Sequence, residues 1–223
     1  MTLSLVARCA RTGQFGMVIA SSSPAVAARC AHVRAGVGAV ASQNVTDPAL
    51  GPLVLDQLQA GLSAQEALAL VVTGRDHIDF RQLLVIDVEG RVAIHSGPQV
   101  LGIWAEAKGM DCAAGGNLLS TAGVPTAMVA AFQSTTGHLG DRLMASLDAG
   151  IAAGGEAGPV HSAGLKIADS LSWPLVDLRI DWADSPLDML QAAWHVYRPQ
   201  MGAYVQRATD PTQAPSYGVP GDE

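Results

Sequence analysis

The chain is short of charge, of aromatic rings and of cysteine. Charged residues fill 15% of its 223 positions, against the about 25% usual for globular domains, while hydrophobic residues fill 49%. That balance excludes a disordered chain, which lacks the apolar surface needed to collapse. Aromatic residues are only 4%, so the core has to be built from small aliphatic side chains and 24 glycines. Basic residues are too few for a nucleic-acid partner: 13 against 20 acidic ones, a net charge of −7, with no footprint for a phosphate backbone. Cys9, Cys30 and Cys112 are odd in number and contain no CxxC pair, which argues against a disulfide framework and against a zinc site. They predict buried free thiols in a reducing cytoplasm.

Other signals are also missing. The start, MTLSLVAR, has neither the basic beginning nor the apolar core of a signal peptide, which predicts a cytoplasmic protein. The longest uncharged run, 112–140, carries Asn117, Gln133, Pro125 and several serines, threonines and glycines, so no membrane span is expected. Gly36-Val37-Gly38 lacks the third glycine of a dinucleotide loop, and the loop at Gly154 lacks the Gly-Lys-Ser/Thr ending of a phosphate loop. GxSxG is absent. None of the six histidines forms an HxH or HxxxH pair, so no metal and no cofactor is implied.

What is present is a succession of strands and helices. Leu3–Arg8 and Gly16–Ser22 read as a hairpin around Arg11-Thr12-Gly13-Gln14, and 35–42 as a glycine-interrupted strand. Ala25–Ala31 is ambiguous. Asp47-Pro48 predicts a helix start, with Leu50, Leu53, Val54 and Leu58 on one face, and Ser63 with Glu66 forms a capping box for the next helix. Strands at 82–87 and 91–96 flank a Val88-Glu89-Gly90 turn, with two more around 102–107 and 110–114. Helices follow at about 124–132 and 139–153, strands at 161–169 and 175–182, and a helix from Ser185-Pro186 that Pro199 kinks or ends.

Strands clustered in hairpins, not alternating with helices, disfavour a doubly wound parallel sheet. They predict an α+β fold, a four-layer αββα sandwich of two mainly antiparallel sheets. Residues 1–207 form the expected single domain and 208–223 a loose Pro/Gly-rich tail. The low charge leaves apolar surface to cover, which predicts a homodimer or larger assembly, with Trp194 and Tyr197 in the core or at its interface.

One residue remains as a nucleophile. Removal of Met1 would expose Thr2 as an N-terminal residue. Its α-amine, with a pKa of about 7.7–8.0, is a usable base for the hydroxyl on the same residue.

The sequence also resembles a known family. MTLSLVAR, Gly16–Ser21, Arg34–Asn44, Ile86–Val92 and Gly115-Gly116-Asn117-Leu118-Leu119 match, in order and spacing, the domain-of-unknown-function family 1028, over about residues 2–205. That family is placed among the N-terminal nucleophile hydrolases. The resemblance implies hydrolysis of a C–N amide bond in a small metabolite, with Thr2 as nucleophile. Asn117 and Gln43 are the chosen oxyanion donors, and Ser21 the partner of the terminal amine. Arg34 is the cation that depresses the amine pKa or holds a substrate carboxylate. The lysine that such enzymes commonly place near the nucleophile has no obvious counterpart, since only Lys108 and Lys166 are present. A binding or assembly subunit without catalysis is the alternative reading.

Overall fold

The computed structural model describes residues 1–221. It opens on a hairpin of β1 (Thr2–Arg8) and β2 (Phe15–Ser21), antiparallel with Leu3 opposite Ala20 and Arg8 opposite Phe15. β1 lies inside a six-stranded sheet, with β2 on one side and β8 (Cys112–Asn117) on the other. β7 (Ala105–Gly109) forms one edge; β9 (Ser162–Ala168) and β10 (Val176–Ile180) complete the other. The second sheet orders β3 (Ala31–Arg34), β4 (Gly38–Gln43), β5 (Gln82–Asp87) and β6 (Val92–Ser96). Every pairing is antiparallel.

The helices sort by face. α2 (Leu50–Gln59) and α3 (Ala64–Val72) cover the four-stranded sheet, where Leu50, Val54, Leu68, Leu83 and Val85 share one apolar cluster. α4 (Val124–Ser134), α5 (Leu139–Ala152) and α6 (Pro186–Tyr197) cover the six-stranded one, where Leu3, Leu5, Phe132, Leu147 and Trp194 meet. A third cluster lies between the sheets: Val6, Met17, Ile19, Ala41, Leu84 and Ile86, with the short α1 (Val26–Cys30) at its side. Strand alternation explains this division, since successive side chains face opposite ways. Leu3, Leu5 and Ala7 go to the helices, while Thr2, Ser4 and Val6 go to the layer between the sheets. The molecule is an αββα sandwich.

Several boundaries differ from expectation, each for a local reason. The strand expected at 35–42 is a turn followed by β4, because Gly36 takes φ +67° and closes a β3–β4 hairpin. α2 starts at Leu50 and not at Pro48, because the Asp47 carboxylate folds onto Ala49 N at 3.0 Å in a turn of its own. β7 and β8 lie two to three residues later than predicted. Asp111, at φ 56°, makes the tight turn between them and is held by Arg8 at 3.2 Å. Pro199 ends α6, and α7 (Met201–Thr209) resumes beyond it, so the boundary expected at 207 falls inside a helix. The last two tail residues, 222 and 223, lie outside the described residues. Trp194 belongs to the core at 3% exposure, and its indole donates to Asp141 at 3.1 Å. Among the described residues no helix is long and apolar enough to cross a membrane.

With few aromatics, close approach does the packing. A Cβ on Gly140 would lie 2.4 Å from the Trp194 ring. Gly140→Ala is therefore expected to cost about 1–3 kcal/mol, read as a lower denaturant midpoint with an unchanged slope.

Candidate active site

The layer between the sheets changes character at one end. Across the six-stranded sheet, Asn117 pairs with Thr2, the next position on β2 is Ser21, and Ser21 pairs with Ser162. All four share the inward face with Ser4. From the other sheet, Gln43 pairs with Gln82 and Gln82 with Ser96, continuing the inward rows of Ala41, Leu84 and Ile94. Polar side chains thus replace apolar ones on both sheets at the same level.

They satisfy one another. Ser4 Oγ donates to Gln43 Oε1 at 2.7 Å, and Gln43 Nε2 donates to Gln82 Oε1 at 2.8 Å. Gln82 Nε2 donates to Ser96 Oγ at 3.1 Å, and Asn117 Nδ2 donates to Gln82 Oε1 at 3.3 Å. Buried amides need such partners, because each orphaned group costs about 1–3 kcal/mol.

At the edge of this network a cavity of about 160 Å³ is lined by Met1, Thr2, Ser21, Arg29, Cys30 and Asn117, among others. Thr2 is only 6% exposed. The Met1 carbonyl accepts from both Thr2 Oγ1 and Ser21 Oγ, and these two hydroxyls lie 3.4 Å apart. Ser23 N donates to Ser21 Oγ at 3.0 Å and fixes it. Burial pushes the Cys30 thiol up in pKa, so it stays neutral beside Thr46. The backbone around the cavity is strained: Ala25, Asn44, Val45 and Leu118 all have left-handed φ of 43–56° without being glycine. Such residues persist where surrounding structure holds them. Here Leu101 N donates to Asn44 Oδ1 at 3.2 Å, and Leu118 N to Leu101 O at 2.9 Å.

The structure therefore brings Ser21 and Asn117 to Thr2. Gln43 sits one step deeper: it bonds Ser4 and Gln82 and does not line the cavity. Arg34 is elsewhere. It ends β3 beside the hairpin turn, about 16 Å of strand away from Gln43, and pairs with Asp56 at 2.9 Å and Gln59 at 2.6 Å. The placement of Arg34 beside Thr2 is thus corrected: β3 and β4 run antiparallel, so the residue before their turn lies at the opposite end from Gln43. Arg29 is the basic side chain among the described residues that line the cavity, and its Nη2 donates to Pro24 O at 2.8 Å. Lys166 bonds Asp177 at 3.3 Å, on the row of Met17 and far from Thr2. Among the described residues no group of three His, Cys, Asp or Glu is placed to hold a metal ion.

Sequence reasoning missed Ser4, Gln82, Arg29 and Glu156. Ser4 and Gln82 did leave a signal: each is a polar residue in the inward phase of an apolar strand. Glu156 left none. It is 6% exposed, bridges to Leu119, and accepts from Ser22 N at 3.0 Å. Burial pushes its pKa from 4.5 up to about 7, the α-ammonium of Met1 drawing it partly back.

Residues 2–190 match the model described as a family of unknown function, DUF1028, and the chain belongs to that family. It is similar to the crystal structure of protein SPO2555 from Silicibacter pomeroyi, also DUF1028. The two share 26% identity and a TM-score of 0.86, over 92% of this chain and 90% of that one. Two Anbu structures, the ancestral beta-subunit from Yersinia bercovieri and a Gly-1 mutant from Hyphomicrobium sp. strain MC1, match at 14% and 13% identity with TM-scores of 0.41 and 0.44. Each covers 91% of this chain and 97% of that one. No curated protein matches the chain.

Because the folded carboxyl of Glu156 holds its proton more tightly than the unfolded one, it favours folding at low pH, and this contribution is lost as pH rises from 4.5 to about 7. Glu156→Gln is expected to flatten stability across that window, measured by denaturant unfolding at fixed salt.

Proposed function

We propose that the protein is an amide hydrolase of the N-terminal nucleophile type, acting on a small metabolite through Thr2. The observation that carries this reading is the carbonyl held by two hydroxyls. Thr2 Oγ1 and Ser21 Oγ converge on the Met1 carbonyl, in a cavity that Asn117 also lines. Cleavage of the bond before Thr2 turns its nitrogen into a free amine and clears the position of that carbonyl for a substrate's own.

The amine, near neutral in pKa, then takes the proton from Oγ1. Oγ1 bonds to the substrate carbonyl carbon. Asn117 Nδ2 uses one of its two hydrogens on Gln82, leaving the other for the oxyanion. Collapse breaks the C–N bond, and the leaving amine takes the proton held by the Thr2 ammonium. Water, deprotonated by the same amine, hydrolyses the ester and restores Thr2. Ser21 orients the amine. Gln43 and Gln82 hold Asn117 and Ser4 in place, which makes Gln43 a positioning residue in this scheme.

A second reading, a binding or assembly subunit without catalysis, is favoured by the same contacts when Met1 stays. The Thr2 nitrogen is then an amide and its hydroxyl is engaged. The intact mass separates the two readings. On a panel of small amides, Thr2→Ala is expected to lose activity by several orders of magnitude while folding normally, and Thr2→Ser to retain part. Asn117→Ala is expected to lose about 10²–10³-fold in kcat. Activity persisting in Thr2→Ala would contradict the mechanism.

We also propose a homodimer through the rim of this cavity. Val45 and Leu101 line it and, with Ile103 and Trp104 just beyond Leu101 in the chain, are 40–53% exposed, although all are large and apolar. Sedimentation at micromolar concentration is expected to give a dimer, and Trp104→Glu a monomer; a wild-type monomer would refute it.

A further inference from the structure

A second cavity, of about 370 Å³, lies beside the first. Its lining includes Glu156, Asp184 and Asp188 and, among the described residues, no lysine, arginine or histidine. Glu156 is the informative member. Its side chain is buried, Ser22 N occupies Oε2, and Oε1 has no hydrogen-bond partner. Burial without a donor on that oxygen makes Glu156 costly to ionise, and a cation placed beside it would lower that cost. The positive end of α6 also lines the cavity, but Asp188 in its first turn offsets that dipole.

Among the described residues the two cavities share no lining residue, but the segments that line them are bonded to one another. Ser21 faces Thr2, and its neighbour Ser22 holds Glu156. His161 N donates to Ser21 O, and Ala183 N, next to Asp184, donates to His161 O, both at 2.9 Å. Leu119, two residues past Asn117, bridges to Glu156. Met1 is the wall between them. It lines the Thr2 cavity and packs on Gly158 of the second, where a Cβ would meet Met1 Cε at 2.7 Å.

We propose that the second cavity is the subsite for a positively charged group, an ammonium or guanidinium, on the amide substrate. This rests on the Thr2 reading above, since cleavage before Thr2 removes the wall and joins the cavities. A substrate carbonyl at Thr2 then carries its cation to Glu156 Oε1, which accepts the hydrogen bond it lacks. Asp184 and Asp188 add long-range attraction from the exposed rim.

The test uses protein cleaved before Thr2, verified by mass, and two probes of similar size, n-butylammonium and n-butanol, in titration calorimetry. Saturable binding of n-butylammonium is expected, at least about 10-fold weaker in Glu156→Gln, with no binding of n-butanol. Equal affinity in both proteins, or equal binding of both probes, would overturn the subsite. Should Glu156→Gln fail to fold, Asp184→Asn/Asp188→Asn, altered only at exposed positions, is expected to lose about 3-fold, and unchanged affinity there overturns it equally.

Turnover separates this proposal from the one beneath it. Alanine 4-nitroanilide is expected to be cleaved at least about 10-fold faster, in kcat/KM, than its N-acetyl counterpart. Ammonium binding without cleavage of any amide sinks the Thr2 mechanism and leaves the cation site standing. Amide cleavage indifferent to charge, without ammonium binding, does the reverse.

Discussion

Alternation along β1 ties the two halves of the molecule together. Its odd-numbered residues, Leu3, Leu5 and Ala7, anchor the helices of one outer layer, while Val6 anchors the apolar interior between the sheets. Ser4 and Thr2 occupy the same inward phase as Val6, and there the dry interior ends. A one-residue slip of β1 would send Thr2 and Ser4 into the helix-facing core and Leu3 into the polar network. The core therefore fixes the register, and the register fixes the position of Thr2. A central strand buried on both faces and paired on both edges holds a functional group far more tightly than a loop does.

The polar end of the interior is stable because its members satisfy each other. Gln43, Gln82 and Asn117 form a chain of amide hydrogen bonds spanning the two sheets, and Ser4 and Ser96 close its ends. Low dielectric strengthens such bonds and makes a missing one expensive, so the network is rigid when complete. Two features at its edge are incomplete. The backbone of Ala25, Asn44, Val45 and Leu118 is strained, and Glu156 has a buried oxygen without a donor.

Much of this was legible in the sequence, and the rest was not for definite reasons. Hairpin clustering gave the layered α+β architecture, and the Ser63–Glu66 box and the Gly90 turn stand where predicted. The Arg34–Gln43 segment misled because Gly36-Val37-Gly38 read as strand while Gly36 turns the chain. That reversal carried Arg34 to the wrong end of β4. Ser21 was legible because it ends the strand expected to pair with β1, whereas Asn117 entered through the Gly115-Gly116-Asn117 match to the family, the strand there having been expected to stop at 114. Glu156 was not: it lies on an irregular loop after Gly154-Gly155, and only tertiary contacts with Ser22 and Leu119 bring it to the site. Arg29 was hidden in the ambiguous Ala25–Ala31 stretch, which proved to be the short α1.

The central claim is that Thr2 Oγ1 is a nucleophile once its nitrogen is free. A β-lactone, a strained ester that acylates activated hydroxyls without releasing a fragment, tests it directly. The protein cleaved before Thr2 is incubated with the lactone and digested, and its peptides are mapped by mass spectrometry. The account predicts one equivalent of adduct, on Thr2, absent from uncleaved protein and from Thr2→Ala. Adduct on another residue, or the same labelling in Thr2→Ala, would contradict it.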